Sequence, residues 1–293
     1  MITKGFVALA VAALAAGCGG ATQTAAPSSP TPTPSAPATT SPSGSPSASP
    51  APSSTPTATT VAVYFLHGEH VTPVARTARS AAVATEAVRA LLAGPTAAES
   101  HEGLTSSIPI GTSLRSIAIT GGTAVVDLSA AYGSGGGSLS MSTRLGQLVA
   151  TLTQFPTVRD VRLWLDGKPT GTLGGEGLVV DRPLGLADVE SSLPAILVDR
   201  PLPGSTVHSP LRVRGSANVF EAVFQIEVTD WDGRIVGRQI VHATSGTGTR
   251  GTFDVTVPYT VDRAGHGELI VYTLSPRDGS RDHIGETPLL VAP

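Results

Sequence analysis

Two imidazoles and a carboxylate fall within one short segment, His67-Gly68-Glu69-His70, the best metal-binding arrangement in the chain. A structural zinc site takes four ligands and a catalytic one takes three with an open position, and no further ligand is evident, so a solvated strand end is the favoured reading and no metal is expected. Asp230, Asp232, Asp278 and Asp282 could offer oxygens to calcium, but an aspartate before glycine in a turn more often accepts backbone N–H groups. The sequence has no G-x-S-x-G elbow and no H-E-x-x-H. Lys168 is preceded three positions earlier by Leu165, so the S-x-x-K arrangement is missing as well. The Gly-rich segment from Gly133 to Ser138 lacks the lysine of a phosphate cradle and reads as a flexible loop leading to a helix-capping serine. A catalytic role is therefore not expected. A metal-dependent hydrolase built on His67, Glu69 and His70 is the least favoured alternative.

Cys18 is the one cysteine of 293 residues, and a thiol is the nucleophile that diacylglycerol transfer requires. Ahead of it stand Lys4 and an apolar run from Phe6 to Ala16, too short for a mature membrane span and right for a leader. The segment Leu14-Ala15-Ala16-Gly17-Cys18 resembles a lipobox, although Ala15 stands where leucine is commonest. The expectation is a signal peptide over residues 1–17 and a fatty acid or diacylglycerol on Cys18 as the only attached group, with no other cofactor. The mature protein is expected to be lipid-anchored to the cell membrane on its extracytoplasmic face.

The elements that would position any site begin well downstream. From Gly19 to Thr60 the chain is almost all Ser, Thr, Pro, Ala and Gly with no charged side chain, which cannot bury enough apolar surface to offset its ordering entropy. Residues 18–60 thus read as the lipidated cysteine and a disordered linker. At about 3.1 Å per residue, roughly 40 residues reach on the order of 120 Å when fully extended. Net charge is −3 and aromatic content 4%, which argues against nucleic-acid binding and leaves few flat faces for sugar rings. With no cysteine after Cys18, the folded part must be held by its cores.

Val61 to Leu66 is an apolar run that reads as a buried strand. A helix is predicted next, with Ala84, Val88, Leu91 and Leu92 on one stripe and Gly94-Pro95 as its stop. Ile117 and Ile119, then Gly121-Gly122, then Ala124, Val126 and Leu128 predict a hairpin. Leu145, Leu148, Val149 and Leu152 predict a second helix ending at Phe155-Pro156. Val161 to Leu165 predicts a strand that closes on the turn Asp166-Gly167. These elements imply an α+β domain over residues 61–190, one sheet with two helices.

The stretches EAVRALLAGP, IPIGTSLRSIAITGGTAVVDLSAAY and LGQLVATLTQFPTVRDVRLWLDGKP, in that order, resemble the GerMN domain of sporulation and germination proteins and of actinobacterial envelope lipoproteins. The sharpest part is Thr151 to Val158 followed by Leu165-Asp166-Gly167. If such a domain holds a ligand, the polar ends around Thr153, Asp166 and Gly167 are the first place to look, with Thr151 and Glu176 nearby. Trp164 and Trp231 could each offer a flat face to a glycan or a protein. Against this, Thr153 could simply pack a helix end and Asp166-Gly167 simply turn the chain.

Residues 193–293 carry short alternating strands, with Phe224, Ile226 and Val228, then Phe253, Val255 and Val257, then Ile270, Tyr272 and Leu274 on successive inward faces. Turn sequences at Asp230-Trp231-Asp232-Gly233 and Pro276-Arg277-Asp278-Gly279 punctuate them, which predicts an all-β sandwich. The stretches DRPLPGSTVHSPLRVRGSANVFEAVFQIEVTDWDGRIV and GELIVYTLSPRDGS resemble the immunoglobulin-like Gmad2 domain, often found beside GerMN. The two resemblances imply a non-catalytic envelope lipoprotein that binds peptidoglycan or another envelope protein, in sporulation, germination or a cell-wall process. A purely structural or assembly module is the alternative.

Overall fold

The computed structural model describes residues 58–175 and 177–293; Cys18, the expected leader, the expected linker up to residue 57 and Glu176 lie outside the described residues. The first strand, β1 (Thr59–His67), is buried at every residue from Val61 to Leu66, which is why its sequence is an unbroken apolar run rather than an alternation. It turns straight back into β2 (His70–Ala78), with His67 paired to His70 and Gly68 at φ 63° in the turn. The sequence pattern predicts no such strand. β2 is a half-buried edge strand carrying Pro73 and Arg76, so it has neither a clean alternation nor an apolar run.

The helix α1 (Val83–Ala93) buries Ala84, Ala87, Val88 and Leu91 and stops at Gly94 with φ 79°, as predicted. A short α2 (Ala97–His101) follows, with Thr96 and Glu99 each bonding the other's backbone N–H. Next come β3 (Leu104–Thr105), which pairs with the end of β1, and the predicted hairpin of β4 (Leu114–Thr120) and β5 (Thr123–Leu128). Its turn glycines, Gly121 and Gly122, stand at φ 61° and 90°.

The second helix, α3 (Ser138–Thr153), crosses from β5 to β6 (Asp160–Leu165), which lies parallel to β5. Short strands β7 (Lys168–Pro169), β8 (Thr172–Leu173) and β9 (Leu178–Val179) follow.

The expected single sheet is divided in two, ordered β2-β1-β3 and β4-β5-β6-β7. Side chains of α3 close the β1 edge that faces away from β2. The Gln154 amide accepts from Ala62 N at 2.8 Å and donates to Ala62 O at 2.6 Å. Tyr64 N donates to Thr151 Oγ1 at 3.1 Å, and Gln147 Nε2 donates to Tyr64 O at 3.1 Å. Positions 147, 151 and 154 share one helical face, so the helix replaces a neighbouring strand along this stretch.

The sandwich comprises β10 (Ile196–Arg200), β11 (Thr206–His208), β12 (Leu211–Ala217), β13 (Val223–Thr229), β14 (Ile235–His242), β15 (Gly251–Val257), β16 (Gly265–Leu274) and β17 (Arg281–Ala292). A sheet ordered β10-β12-β15 faces one ordered β11-β17-β16-β13-β14. Phe224, Ile226 and Val228 are buried as predicted, and the rings of Phe224 and Phe253 meet edge to face at 4.9 Å.

On β16 the predicted phase is displaced. Leu269 and Val271 face the core, Leu274 is exposed, and the pairing with β17 shifts between Val271 and Thr273. Tyr272 is buried from the opposite face, where its hydroxyl donates to Glu227 at 2.9 Å and Arg238 and Arg281 each approach that carboxylate at 2.5 Å.

The two folded segments meet in a shared seam. Leu193, Leu197 and Leu202 join the core of the first domain. Ser192 lies so close to Gly146 that a β-carbon there would sit 2.5 Å from the Ser192 side chain, so α3 needs glycine at that point.

Candidate functional site

A cleft of about 660 Å³ opens where the C-terminal end of α3 meets the outer face of the β10-β12-β15 sheet. Thr153 and Gln154 line one wall, Asp199, Arg200, Arg214 and Asp254 the other, and His242, Thr244 and Thr252 the far rim. On β12 the side chains alternate, Leu211 and Val213 into the sandwich and Arg212 and Arg214 out of it, so strand periodicity alone sends two guanidinium groups toward this side. A second hollow of about 470 Å³ adjoins the first, and Arg200 lines both.

The seam that holds the cleft open is polar and closely bonded. The buried guanidinium of Arg250 donates from Nε to Glu190 Oε2 at 2.8 Å, from Nη2 to Glu190 Oε1 at 3.0 Å and from Nη2 to Pro194 O at 2.7 Å. Asn218 Nδ2 adds a bond to Glu190 at 2.9 Å. Burial pushes the Glu190 carboxyl up, but the bonds from Arg250 and Asn218 outweigh it and hold the group below the usual carboxylate range.

At the floor of the cleft the Tyr64 hydroxyl, carried on β1, donates to Asp199 Oδ1 at 2.8 Å. Burial raises the Asp199 carboxyl above its ordinary value and outweighs the opposing pull of the Tyr64 bond and of Arg200, Arg214 and Arg250. Burial also lifts the Tyr64 hydroxyl, with the Asp199 charge adding to it.

An acid whose folded pKa is raised takes up a proton more readily folded than unfolded. The penalty for its charge is therefore present at neutral pH and is relieved as pH falls through the raised pKa. Asp199→Asn, which keeps an acceptor for Tyr64, is expected to unfold at or above the wild-type temperature at pH 7, the gap closing as pH falls through the raised pKa. Tyr64→Phe, which leaves the desolvated carboxylate with no donor, is expected to lose about 1–3 kcal/mol. Thermal unfolding across a pH series checks both, and an asparagine variant less stable than wild type at pH 7 contradicts the assignment.

The residues singled out from the sequence are scattered. Thr153 lines the cleft, but its hydroxyl donates to Val149 O of its own helix at 2.9 Å, the packing role. Trp164, Asp166 and Gly167 lie at the far end of β6, which at about 3.3 Å per residue puts them on the order of 20 Å from its start beside α3. There Asp166 and Gly167 turn the chain at φ 47° and 78°, Gly167 N donates to Asp127 at 2.9 Å, and Arg115 bridges Asp127 and Asp166 at 3.4 and 3.5 Å. Trp164 is half-buried and pairs across the strands with Pro169.

His67, Glu69 and His70 are exposed at the tip of the β1-β2 hairpin, and among the described residues no three His, Cys, Asp or Glu side chains gather as a metal would require. Asp230 accepts N–H bonds from Asp232 and Arg234, both at 3.0 Å, and Asp278 accepts from Ser280 N at 3.1 Å. Asp282 accepts from His283 N at 2.8 Å. Asp230 and Asp278 shape turns, and Asp282 lies on β17. Trp231 is half-buried, with the Arg263 guanidinium 4.4 Å over its ring.

Sequence reasoning did not find Tyr64, Asp199, Arg200, Arg214 or His242. The one available signal was the opening of the sandwich stretch, Asp199-Arg200-Pro201, where two charges end an apolar strand.

Among the described residues, no helix is long and apolar enough to cross a membrane. Residues 62–171 match the family described as Germane, sporulation and spore germination, and residues 195–280 match Gmad2, the immunoglobulin-like domain of bacterial spore germination. No curated protein matches the sequence.

Among solved structures, the chain is similar to the first GerMN domain of the sporulation protein GerM from Bacillus subtilis, with 22% identity over 43% of this chain and 97% of that one and a TM-score of 0.37. The tandem GerMN domains of GerM give 13% identity over 70% of this chain and 63% of that one, with a TM-score of 0.40. A putative lipoprotein from Clostridium perfringens gives 20%, 45%, 89% and 0.34 in the same order. The chain carries a Germane (GerMN) domain over residues 62–171, followed by an immunoglobulin-like Gmad2 domain over residues 195–280.

Proposed function

We propose that this chain is a non-catalytic lipoprotein of the cell envelope. Its folded part binds peptidoglycan or an envelope protein partner, in sporulation, germination or cell-wall maintenance. An acyl chain on Cys18 anchors it to the extracytoplasmic face of the membrane, and the linker carries the two domains away from that surface. The observation that carries the binding role is the polar cleft at the seam, where the Arg250-Glu190 clamp and the Tyr64-Asp199 bond hold the two domains around a hollow large enough for a ligand. Membership of two sporulation and germination families supports the process.

Two measurements test the reading. The full-length protein, mixed with purified cell wall and with membrane extract, is expected to be retained by at least one of them; retention by neither overturns the binding role. Cys18→Ser is expected to move the protein from the membrane fraction to the soluble one, and mass spectrometry of the wild type should find the fatty acid on Cys18. Recovery of the native protein from the cytosol with its initial methionine and no lipid overturns the anchor.

A further inference from the structure

The charges around the cleft are not evenly committed. Both carboxylate oxygens of Asp254 are taken by Arg212, with Nε to Oδ1 at 2.7 Å and Nη2 to Oδ2 at 2.6 Å. Asp199 is bonded by Tyr64. Arg200 makes one bond, from Nη1 to the backbone O of Asp199 at 2.9 Å, which leaves most of its donors unused. Arg214 is exposed and, among the described residues, makes no ion pair or hydrogen bond, although its charge is felt at Asp199. Two guanidinium groups therefore line a hollow whose acids already have partners. Thr244 and Thr252 also line the hollow, their hydroxyls 3.4 Å apart with Thr244 Oγ1 accepting from Thr252 N at 2.8 Å, which leaves each hydroxyl further bonding capacity, whereas the Gln154 amide is taken up by Ala62 and Thr151.

The geometry points to a binding site for a carboxylate-bearing peptide, with Arg214 and Arg200 gripping its carboxylate and Thr244 and Thr252 meeting its amide groups. This rests on the binding role proposed above and narrows it to the stem peptide of peptidoglycan. A guanidinium fork matches the two oxygens of a carboxylate.

A phosphate polymer fits less well. Phosphates are favoured by converging backbone N–H groups at a helix N-terminus, whereas α3 presents its C-terminal end here, the negative end of its dipole. The second hollow, of about 470 Å³, shares Arg200 with the first, in keeping with an extended peptide rather than a single small ion.

The test is isothermal titration of the full-length protein in detergent with three probes: a stem peptide with free carboxyl groups, the same peptide with every carboxyl amidated, and a glycerol phosphate polymer. The free peptide is expected to bind, and amidation to weaken it at least tenfold. Arg214→Ala should weaken it about tenfold at an unchanged unfolding temperature, with Arg214→Lys between the two. Equal binding of the amidated peptide, preference for the phosphate polymer, or full binding by Arg214→Ala overturns the inference. If the stem peptide fails while intact cell wall still retains the protein, the inference falls and the broader binding role stands; if neither binds and membrane extract is also empty, both fall.

Discussion

Arg144→Leu is expected to lower the unfolding temperature by roughly 6–12 °C, the equivalent of about 3 kcal/mol for a folded part of this size. Arg144 is among the largest fully buried side chains and has no acidic partner among its bonds. Its Nη1 donates to Tyr132 O and, at 3.1 Å, to Ser134 O, while Nη2 donates to Gly135 O at 3.2 Å and to Ser140 Oγ at 3.1 Å. Tyr132 answers with a bond from its hydroxyl to Arg144 O at 3.1 Å. Burial draws the Arg144 guanidinium below its ordinary pKa.

Leucine fills part of the space and removes the cost of the buried charge, but it leaves the carbonyls of the Gly-rich turn without donors, the buried one at Tyr132 above all. Lysine should not rescue the protein, because one ammonium cannot span four acceptors held by a planar fork. Limited proteolysis is expected to cut Arg144→Leu within residues 133–137, where the wild type resists. A lysine variant as stable as wild type would show that the charge matters and the fork does not.

The Gly-rich segment thus has a different meaning in the fold from the one its composition suggests. Read alone it is a flexible loop; in the structure it is clasped by a residue nearly two turns into α3, and nothing in its own sequence announces the clasp. The same division runs through the molecule. The strand at Val61 to Leu66, the stripe of α1, the Gly121-Gly122 hairpin and the stripe of α3 were legible because each is specified by its own spacing.

β2 was not legible, because a half-buried edge strand with Pro73 and Arg76 satisfies no single period. Nor was the cleft. Arg214 and His242 each occupy what looks like the solvent phase of an alternating strand and Asp199 the polar end of an apolar one, and only the packing of one domain on the other turns those positions toward a common space. The Asp230 and Asp278 turns were read correctly from the residues, since an aspartate in a glycine-containing turn bonds backbone within a few positions and needs no distant partner.

The stretch Thr151-Leu152-Thr153-Gln154-Phe155-Pro156 carried the sharpest family likeness and drew attention as a ligand site; Thr153 and Gln154 line the cleft, and Thr151 and Gln154 also hold the edge of β1. Gln147→Leu is expected to cost about 3 kcal/mol and Thr151→Val about 1–3 kcal/mol, since each removes the partner of a buried backbone group on β1 while nearly keeping the shape of the side chain. Gln147 is wholly buried and serves Tyr64 O at 3.1 Å and Ser107 N at 2.9 Å at once. Thr151, equally buried, accepts from Tyr64 N at 3.1 Å.

Gln154 is half-buried, so water can reach the Ala62 groups in Gln154→Ala and the loss should be smaller, about 1–2 kcal/mol. Because all three act on one strand edge, the variants should not add: once Gln147 is gone and the edge has loosened, Thr151→Val should cost less than it does alone. Denaturant unfolding of the two single variants and the pair measures this coupling. Strict additivity would mean that α3 meets β1 as separate contacts rather than as a substitute for a strand, and that the division of the sheet has another cause.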